Sequence, residues 1–266
     1  MNRPIKRLIL RACSPLDSLV RAINGKQHLP PLHLRWDVGP LRGFESSSAE
    51  FRVYLKLFAG LGQGVRILDI GCGCGQIAQV IADDLGTTGS YVGCDINSEA
   101  IAWCTRWIAR NDGRFAFHRM DVRNGLYNPG GRQAASEFRF PPPWGSFDII
   151  LLKSVFTHMR KDEVTNYLGQ LRGLMRDGGT CLATFFLTND AQRSLVGQAS
   201  VRFVPGEPGV GYAAPDIPET IVAYEERDLL AMISDARLRL EPPIRYGTWA
   251  GRVDGLSHQD ILLLTT

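Results

Sequence analysis

The 266-residue sequence has no apolar run close to the roughly 18 residues that a helix needs to cross a bilayer. It also has no internal repeat and no low-complexity tract. These absences argue against a helical membrane protein and against a fibrous or disordered chain. With 44% hydrophobic residues and a mean hydropathy of -0.08, the sequence predicts a soluble globular protein of one large domain or two small ones.

Cysteine pairing motifs are missing as well. The chain has six cysteines but no Cys-x-x-Cys pair, and most of them lie in apolar or glycine-rich segments. Cys72-x-Cys74 could form half of a zinc site, but no nearby histidine pair completes the four ligands. We therefore expect reduced thiols, no bound metal and a cytoplasmic location.

The whole chain has almost no excess of one charge, but its first 35 residues have an excess of positive charge. The net charge is +3, yet residues 1–35 contain seven basic residues and a single acid, Asp17. Arg7 and Arg11 flank the short apolar stretch at 8–10 too closely for a secretory signal, so we predict no cleaved targeting segment. The favoured interpretation of this basic arm is a helical cover over the ligand site. The alternatives are contact with nucleic acid or, through residues 1–28, with an anionic membrane surface.

Beyond residue 50, short apolar strands alternate with segments of helical period, which is typical of a parallel sheet covered by helices on both faces. The predicted fold class is α/β, with residues 1–50 as a helical arm and residues 51–266 as the main domain. Two stretches without a clear period, 124–146 and 188–222, are predicted to be lids or binding loops. The predicted strands are Val65–Ile70, Ser90–Asp95, Phe115–Met120, Phe147–Leu152, Gly179–Leu187, Ile244–Trp249 and Gln259–Leu264, and the predicted helices are Ser46–Leu61, Ile77–Leu85, Ser98–Asn111, Lys161–Met175 and Glu225–Ala236.

The clearest local motif follows the first predicted strand, where Gly71, Gly73 and Gly75 alternate in a turn that leads into a helix. Glycines permit backbone conformations closed to other residues, and the N-terminus of the helix behind them offers N–H groups to an anion. Asp69, two residues before the first glycine, would repel a pyrophosphate. It suits a ligand that carries an ammonium group.

Two further carboxylates follow at successive strand ends. Asp95 ends the second predicted strand 24 residues after Gly71, where this architecture places the acid that holds both ribose hydroxyls. Asp121 follows the third strand and could accept a hydrogen bond from an adenine amino group, although Val122 could supply that contact through its backbone. The alternative is that these acids are ordinary turn and cap formers.

Together these residues resemble the class I S-adenosylmethionine-dependent methyltransferases, whose first motif is an acid followed by Gly-x-Gly-x-Gly. The resemblance covers most of the chain. It implies a doubly wound, mainly parallel sheet of seven strands whose last strand is antiparallel. It also implies that Asp69 faces the methionine ammonium, that the glycine turn takes the methionine part, that Asp95 binds the ribose and that Asp121 binds the adenine. The implied cofactor is S-adenosylmethionine, with S-adenosylhomocysteine as product and no metal. The predicted cofactor site also includes Cys72, Ile96, Val122, Lys153 and Ser154.

The candidate catalytic residue is His158, which follows the fourth predicted strand at the edge of the sheet where ligands bind. Its ordinary pKa suits proton removal at neutral pH. The alternative is that His158 caps or packs the following helix. Tyr127 is a second candidate for lining the substrate site, where it would orient a substrate hydroxyl or pack the 124–146 loop.

We predict a methyltransferase acting on a small molecule, with a hydroxyl of a secondary metabolite, sugar or lipid as acceptor. An RNA or protein methyltransferase that uses the basic arm is the alternative. Methylation of exocyclic amines of nucleic acids in this superfamily uses an Asn- or Asp-Pro-Pro-aromatic motif after strand four, where this chain has Lys153-Ser154-Val155-Phe156. More remote alternatives are a nicotinamide-dependent oxidoreductase and a cofactor-binding subunit without chemistry. The sequence does not predict an oligomeric state.

Overall fold

The computed structural model describes residues 3–142 and 144–266. Met1 and Asn2 of the predicted arm and Pro143 of the predicted 124–146 loop lie outside the described residues. The strands are β1 (Arg66–Ile70), β2 (Ser90–Asp95), β3 (Phe115–Arg119), β4 (Phe147–Leu152), β5 (Met175–Phe185), β6 (Leu187–Thr188), β7 (Val204–Pro205), β8 (Val210–Tyr212), β9 (Val222–Glu225), β10 (Arg239–Arg245) and β11 (Asp260–Thr265).

Seven of these strands form the main sheet in the order β10-β11-β5-β4-β1-β2-β3. Strands β1 to β5 pair in parallel, whereas β11 runs antiparallel to both β5 and β10. The predicted α/β fold, a mainly parallel seven-stranded sheet with an antiparallel last strand, is confirmed.

The helices are α1 (Arg3–Ala12), α2 (Ser14–Ile23), α3 (Leu32–Asp37), α4 (Phe44–Ala59), α5 (Ala78–Ile81), α6 (Ser98–Cys104), α7 (Lys161–Leu174), α8 (Asp190–Arg193) and α9 (Glu226–Asp235). A π-helical turn, 105–109, extends α6. Short 3₁₀ turns occupy 41–43, 156–158, 196–198, 218–220 and 248–250. No helix among the described residues has the length and apolarity to cross a bilayer.

Both faces of the sheet are covered because side chains alternate along each buried strand. On β1, Ile67 packs with α4 and α5, whereas Leu68 and Ile70 pack in the cluster that includes α7 and α9. On β4, Ile149 packs in the same cluster as Ile67, and Ile150 packs in the same cluster as Leu68 and Ile70. A strand buried on both faces gives a nearly continuous apolar run, as in β4, which begins and ends as predicted. Strand β2 also has the predicted bounds.

The N-terminal region is held to the main domain by a buried apolar cluster that joins Leu29, Leu34 and Phe44 to Cys74 and Ala100, and by a shared carboxylate. Glu99, in the first turn of α6, accepts hydrogen bonds from Arg7 at 2.8 Å and from Arg11 at 2.7 Å, and its Oε1 lies 2.9 Å from Nε2 of His33. The predicted boundary at residue 50 falls inside α4, so the division into arm and main domain stays a prediction.

Several predicted boundaries are wrong. Helix α4 begins at Phe44, two residues before the predicted start at Ser46, and Ser48 lies inside it, where its Oγ donates to the carbonyl of Glu45 at 2.8 Å. Gly60 does end this helix, in a left-handed conformation. The helix predicted over 77–85 is regular only over Ala78–Ile81.

The strand predicted at 244–249 is β10, at Arg239–Arg245. Pro242 and Pro243 hid it from a pattern search, since prolines argue against a central strand. Here they are tolerated because β10 is an edge strand with a register shift between Glu241 and Arg245. Residues 248–250 form a 3₁₀ turn instead.

The 188–222 stretch, which has no clear period in the sequence, contains regular strands. With the strands that flank it, it forms a second sheet in the order β6-β9-β8-β7. These strands are two to four residues long, which is too short for an alternating pattern to be visible in the sequence.

Candidate active site

A cavity of about 810 Å³ lies at the carboxyl ends of β1, β2 and β4. Its volume is within the range of roughly 300–1,000 Å³ common for small-ligand sites. Parallel strands end at the same edge of a sheet, so this edge gathers residues that are distant in sequence. The cavity is lined by eleven of the predicted site residues: Asp69, Gly71, Cys72, Gly73, Asp95, Ile96, Val122, Tyr127, Lys153, Ser154 and His158.

The glycine turn after β1 forms one wall of this cavity. Gly71 and Gly73 adopt φ angles of 78° and 53°, which disfavour other residues. A Cβ atom on Gly71 would lie 2.4 Å from Cγ2 of Val155, and one on Gly73 would lie 2.4 Å from Cγ1 of Val38. Glycine is therefore required at both positions for chain segments to approach closely.

The turn uses its own N–H groups, contrary to the expectation that they serve an anion. The N–H groups of Gly71 and Cys72 donate to the carbonyl of Cys94 at 2.7 and 3.1 Å. The N–H of Gly73 donates to Oδ2 of Asp95 at 2.8 Å. Helix α5 begins only at Ala78 and is four residues long. The turn thus shapes the cavity and positions Asp95, and these three N–H groups do not form an anion site.

Asp69 is buried on β1 and accepts a hydrogen bond from the Tyr91 hydroxyl at 2.5 Å. Burial raises the pKa of Asp69 to about 7, although the Tyr91 hydroxyl and the charge of Lys153 oppose that increase. A ligand ammonium placed beside this carboxylate would favour its ionised form. The site therefore fits a positively charged group.

Lys153 follows β4 and lines the same cavity. Its Nζ donates to Oε1 of Gln76 at 2.8 Å and lies 5.0 Å from the ring centroid of Phe51. Burial lowers the pKa of Lys153, while the charge of Asp69 opposes that decrease. The charges of Asp69 and Lys153 therefore each favour the ionised form of the other group.

Asp95, at the end of β2, accepts backbone hydrogen bonds on both oxygens. Oδ2 accepts from Gly73 and Oδ1 accepts from the N–H of Asn97 at 2.7 Å. Burial raises its pKa, and these backbone hydrogen bonds oppose the increase. Each carboxylate oxygen has a second lone pair, so Asp95 retains the capacity to accept from a pair of ligand hydroxyls. Together with Asp69, it fits the ammonium and the ribose of S-adenosylmethionine.

Two predicted cofactor residues do not line the cavity. The Asp121 carboxylate pairs with Arg132 and with Arg119 at 3.3 Å, and Arg132 holds its pKa below the ordinary value. Gly75 packs beneath the turn, where an added Cβ would lie 2.6 Å from Cδ1 of Ile108. Adenine binding by Asp121 stays a prediction that this geometry does not favour, whereas Val122 does line the cavity.

His158 and Tyr127 form an aromatic pair in the cavity wall, with ring centroids 5.3 Å apart in an edge-to-face arrangement. Nδ1 of His158 lies 3.0 Å from the carbonyl oxygen of Glu219. A carbonyl only accepts hydrogen bonds, so we assign the proton to Nδ1. Nε2 of the neutral ring is then the atom able to take a proton. Asn124 donates to the His158 carbonyl at 3.1 Å, which ties the 124–146 loop to the same turn.

Two other segments contribute to the lining: the N-terminal region, which was expected to cover the ligand site, and the turn before β11, which sequence reasoning missed. The lining includes Trp36, Asp37 and Glu50 from the N-terminal region and His258 and Gln259 from the turn before β11. Neither segment has a sequence motif, because the path of the chain over the sheet places these residues in the cavity lining. Conversely, none of the described residues of 188–222 lines the cavity.

Gln259 belongs to a hydrogen-bond network that supports the segment after β4. Its Oε1 accepts from Ser154 Oγ at 3.0 Å and from Thr184 Oγ1 at 2.6 Å, and the Ser154 N–H donates to Thr184 Oγ1 at 2.8 Å. Ser154 adopts a φ of 57°, and this network holds it there.

The cysteines are not arranged as a metal site. All six have free thiols, five of them buried, and burial raises the pKa of the Cys72 thiol. Among the described residues there is no group of three or more His, Cys, Asp or Glu side chains that could hold a metal ion.

Comparisons with known proteins agree with this geometry. Residues 68–181 match the family model described as a methyltransferase domain. The chain is 28% identical over 117 residues to an arsenite methyltransferase of Aquipseudomonas alcaligenes, which is 44% of this chain and 31% of that protein. It is 33% identical over 80 residues to a probable cobalt-precorrin-6B C(15)-methyltransferase of Thermoplasma acidophilum, which is 30% of this chain and 39% of that protein. The matched region thus spans well under half of both curated relatives.

The fold is also found in a solved structure. The crystal structure of an S-adenosylmethionine-dependent methyltransferase from Aquifex aeolicus superimposes with a TM-score of 0.54 at 15% identity, covering 90% of this chain and all of that one. At this level of identity the similarity concerns the fold.

Proposed function

We propose that this chain is a class I S-adenosylmethionine-dependent methyltransferase and that it transfers a methyl group from this cofactor to a small-molecule acceptor, since residues 68–181 match a methyltransferase domain and the fold is that of a solved methyltransferase. The observation that supports the proposal best is the composition of one cavity. It contains Asp69 and Asp95 beside the glycine turn, and it also contains the His158–Tyr127 pair.

When bound, S-adenosylmethionine supplies a methyl group on a sulfonium. The residues of this chain bind the cofactor, orient it toward the acceptor and shield the reacting groups from water. Asp69 would pair with the ammonium, Asp95 would accept from the ribose hydroxyls, and the glycine turn would lie against the methionine part. Because displacement at a methyl carbon needs alignment and exclusion of water, most of the protein's contribution is positioning.

For the acceptor we propose a hydroxyl, with His158 as the general base and Tyr127 as a residue that orients the substrate. The Glu219 carbonyl supports this role because it leaves Nε2 of His158 as the proton-accepting atom. We expect His158→Asn to bind S-adenosylmethionine normally but to lose transfer to hydroxylated acceptors. A variant with unchanged turnover would refute the base role.

The cofactor is tested by titration calorimetry of the purified protein with S-adenosylmethionine, S-adenosylhomocysteine and NADH. We expect the first two to bind with micromolar affinity. Asp95→Asn should bind them about tenfold or more weakly, since a hydrogen bond to a charged group contributes roughly 1.5–3 kcal/mol. Asp121→Asn is the matched control, because its carboxylate lies outside the cavity lining. Binding of NADH alone would refute the methyltransferase proposal.

The alternative of an RNA or protein substrate has less support. The arm's basic groups are largely engaged in ion pairs that join Arg7 and Arg11 to Glu99, Arg21 and Arg35 to Asp17, and Lys26 to Glu45. A gel shift with tRNA that disappears when residues 1–28 are deleted would favour it. The five buried free thiols support the proposal of a cytoplasmic location.

A further inference from the structure

Helices α1 and α2 expose an apolar surface to solvent. Seven large apolar side chains on them are 46–75% exposed: Ile5, Leu8, Ile9, Leu16, Leu19, Val20 and Ile23. We call these seven residues the apolar arm surface. Half of the exposed large apolar side chains among residues 3–142 and 144–266 lie within these 19 positions. Such a concentration marks an interaction surface, whereas single exposed apolar residues do not.

The two helices are amphipathic in the reverse of the usual sense. A surface helix of a globular protein turns its apolar stripe to the core and its charges to water. Here Arg7 of α1 reaches Asp37 and Glu99, and Arg21 of α2 pairs with Asp17, which Arg35 also contacts. Helix α2 has no buried residue. The charged groups therefore attach the helices to the protein, and the apolar side chains point away from it.

The spacing of these side chains gives one stripe on each helix. Leu16, Leu19, Val20 and Ile23 follow the i, i+3, i+4, i+7 pattern, and Ile5, Leu8 and Ile9 follow its first three positions. Each helix is ten residues long, about half of what a membrane span requires. This geometry suits a helix that lies in the plane of a membrane surface.

Charge favours a membrane over the other occupants. Residues 5–26 contain five basic residues and one acid. Four of the five form the ion pairs described above, yet the side chains of Arg11 and Lys26 remain 57% and 45% exposed, and Lys6 is exposed next to Ile5 and near Ile9. Like-charged rims would oppose a face-to-face pairing of two copies of this surface. Nucleic acid presents phosphates to a binding protein and would leave the apolar arm surface uncovered. An anionic bilayer offers both acyl chains and negative headgroups.

We propose that α1 and α2 dock this protein on the surface of an anionic lipid bilayer, with the apolar arm surface inserted at the boundary between headgroups and acyl chains. The test is flotation of the full chain with vesicles of phosphatidylcholine, with and without phosphatidylglycerol. Neither the cofactor nor an acceptor is needed, so the result does not depend on the proposed function. We expect binding to the anionic vesicles that weakens at high salt.

Two double variants test whether vesicle binding depends on the apolar arm surface or on exposed apolar side chains in general. Leu16→Gln with Val20→Gln removes two side chains that are 65% and 49% exposed on α2. Leu57→Gln with Val53→Gln removes two that are 69% and 49% exposed on α4, at the same i, i+4 spacing. We expect about tenfold or more weaker partitioning for the α2 pair. The α4 pair should bind as the unaltered protein does.

Cys13, at the junction of α1 and α2, is exposed, whereas the other five cysteines are buried. A polarity-sensitive fluorophore on this thiol should shift to shorter wavelength when anionic vesicles are added. Three results would overturn the proposal. The unaltered protein could fail to float with anionic vesicles, the two double variants could weaken binding equally, or sedimentation could reveal a dimer that only the α2 pair abolishes while vesicle binding is absent.

Discussion

Removing the Tyr91 hydroxyl should change the pH dependence of cofactor binding. Tyr91 is fully buried and donates to Oδ2 of Asp69 at 2.5 Å, while its ring packs 5.4 Å from Phe115 and 5.8 Å from Phe117. The Tyr91→Phe variant keeps the ring and removes the donor. Asp69 then loses a hydrogen bond that favours its ionised form.

The magnitude follows from the starting pKa of Asp69, about 7. A hydrogen bond to a charged group contributes roughly 1.5–3 kcal/mol, and one pKa unit corresponds to about 1.4 kcal/mol. The variant's Asp69 pKa should therefore be higher by about 1–2. An ionised Asp69 is needed for the ammonium, so affinity for S-adenosylmethionine falls as pH decreases through the pKa. At pH 7 the variant should bind about 5- to 50-fold more weakly.

The assay is calorimetric titration with S-adenosylmethionine from pH 6 to pH 9. The pH range over which affinity falls as the solution becomes more acid, the acid limb of the affinity profile, should move to higher pH by about 1–2 units in Tyr91→Phe. Tyr224→Phe is the control, because this buried tyrosine donates to the carbonyl of Met159 at 2.6 Å and contacts no carboxylate through that bond. It should lose about 1 kcal/mol of stability without moving the limb. An unchanged limb in Tyr91→Phe would refute the pairing of Asp69 with the ammonium.

Three further predictions concern the turn, the arm and the core. Gly73→Ala should weaken cofactor binding about tenfold or more, by calorimetry, since its Cβ would lie 2.4 Å from Val38 and its φ is 53°. Glu99→Ala should raise hydrogen–deuterium exchange in residues 5–37 with a change of about 1 kcal/mol or less in unfolding free energy, because the Arg7 and Arg11 side chains that pair with it are partly exposed. Asp260→Ala should lower the unfolding free energy measured in urea by about 3 kcal/mol or more, since it leaves four buried donors unpaired. Fully exposed Asp190→Ala is its control and should stay near the unaltered value.

The end of the cavity that contains Asp69 and Asp95 could be predicted from the sequence because backbone geometry alone determines it. In a parallel sheet, an acid at the last residue of a strand, as Asp95 is in β2, or one residue before it, as Asp69 is in β1, must lie near the carboxyl edge whatever the remaining chain does. The same reasoning does not place the Asp121 carboxylate in the cavity lining. Its position just after β3 was right, but an isolated bridge between Val122 and Gln133 brings Arg132 beside its carboxylate. A local pattern carries no information about a pairing made eleven residues later.

The other walls of the cavity are formed through tertiary contacts, which a local sequence pattern does not predict. Trp36, Asp37 and Glu50 reach the cavity because the N-terminal helices fold back across the sheet edge, and His258 and Gln259 reach it because β11 enters between β5 and β10. The edge strand β10 was misplaced for a related reason. Its prolines contradict strand propensity, and only its edge position and register shift allow them.

The second sheet explains why His158 is a stronger candidate base than its position alone suggested. Its Nδ1 is bonded to the carbonyl of Glu219, a residue 61 positions later that lies in the turn directly before β9. Strand β9 pairs with both β6 and β8, and β6 follows β5 of the main sheet after one residue, so this carbonyl is held by the sheet and not by a free loop. The 188–222 segment contributes no described residue to the cavity lining, yet it sets the tautomer of the histidine in the cavity wall. We therefore infer that it acts as a support for His158, a role that a search for lids in the sequence could not have distinguished from closure over the ligand.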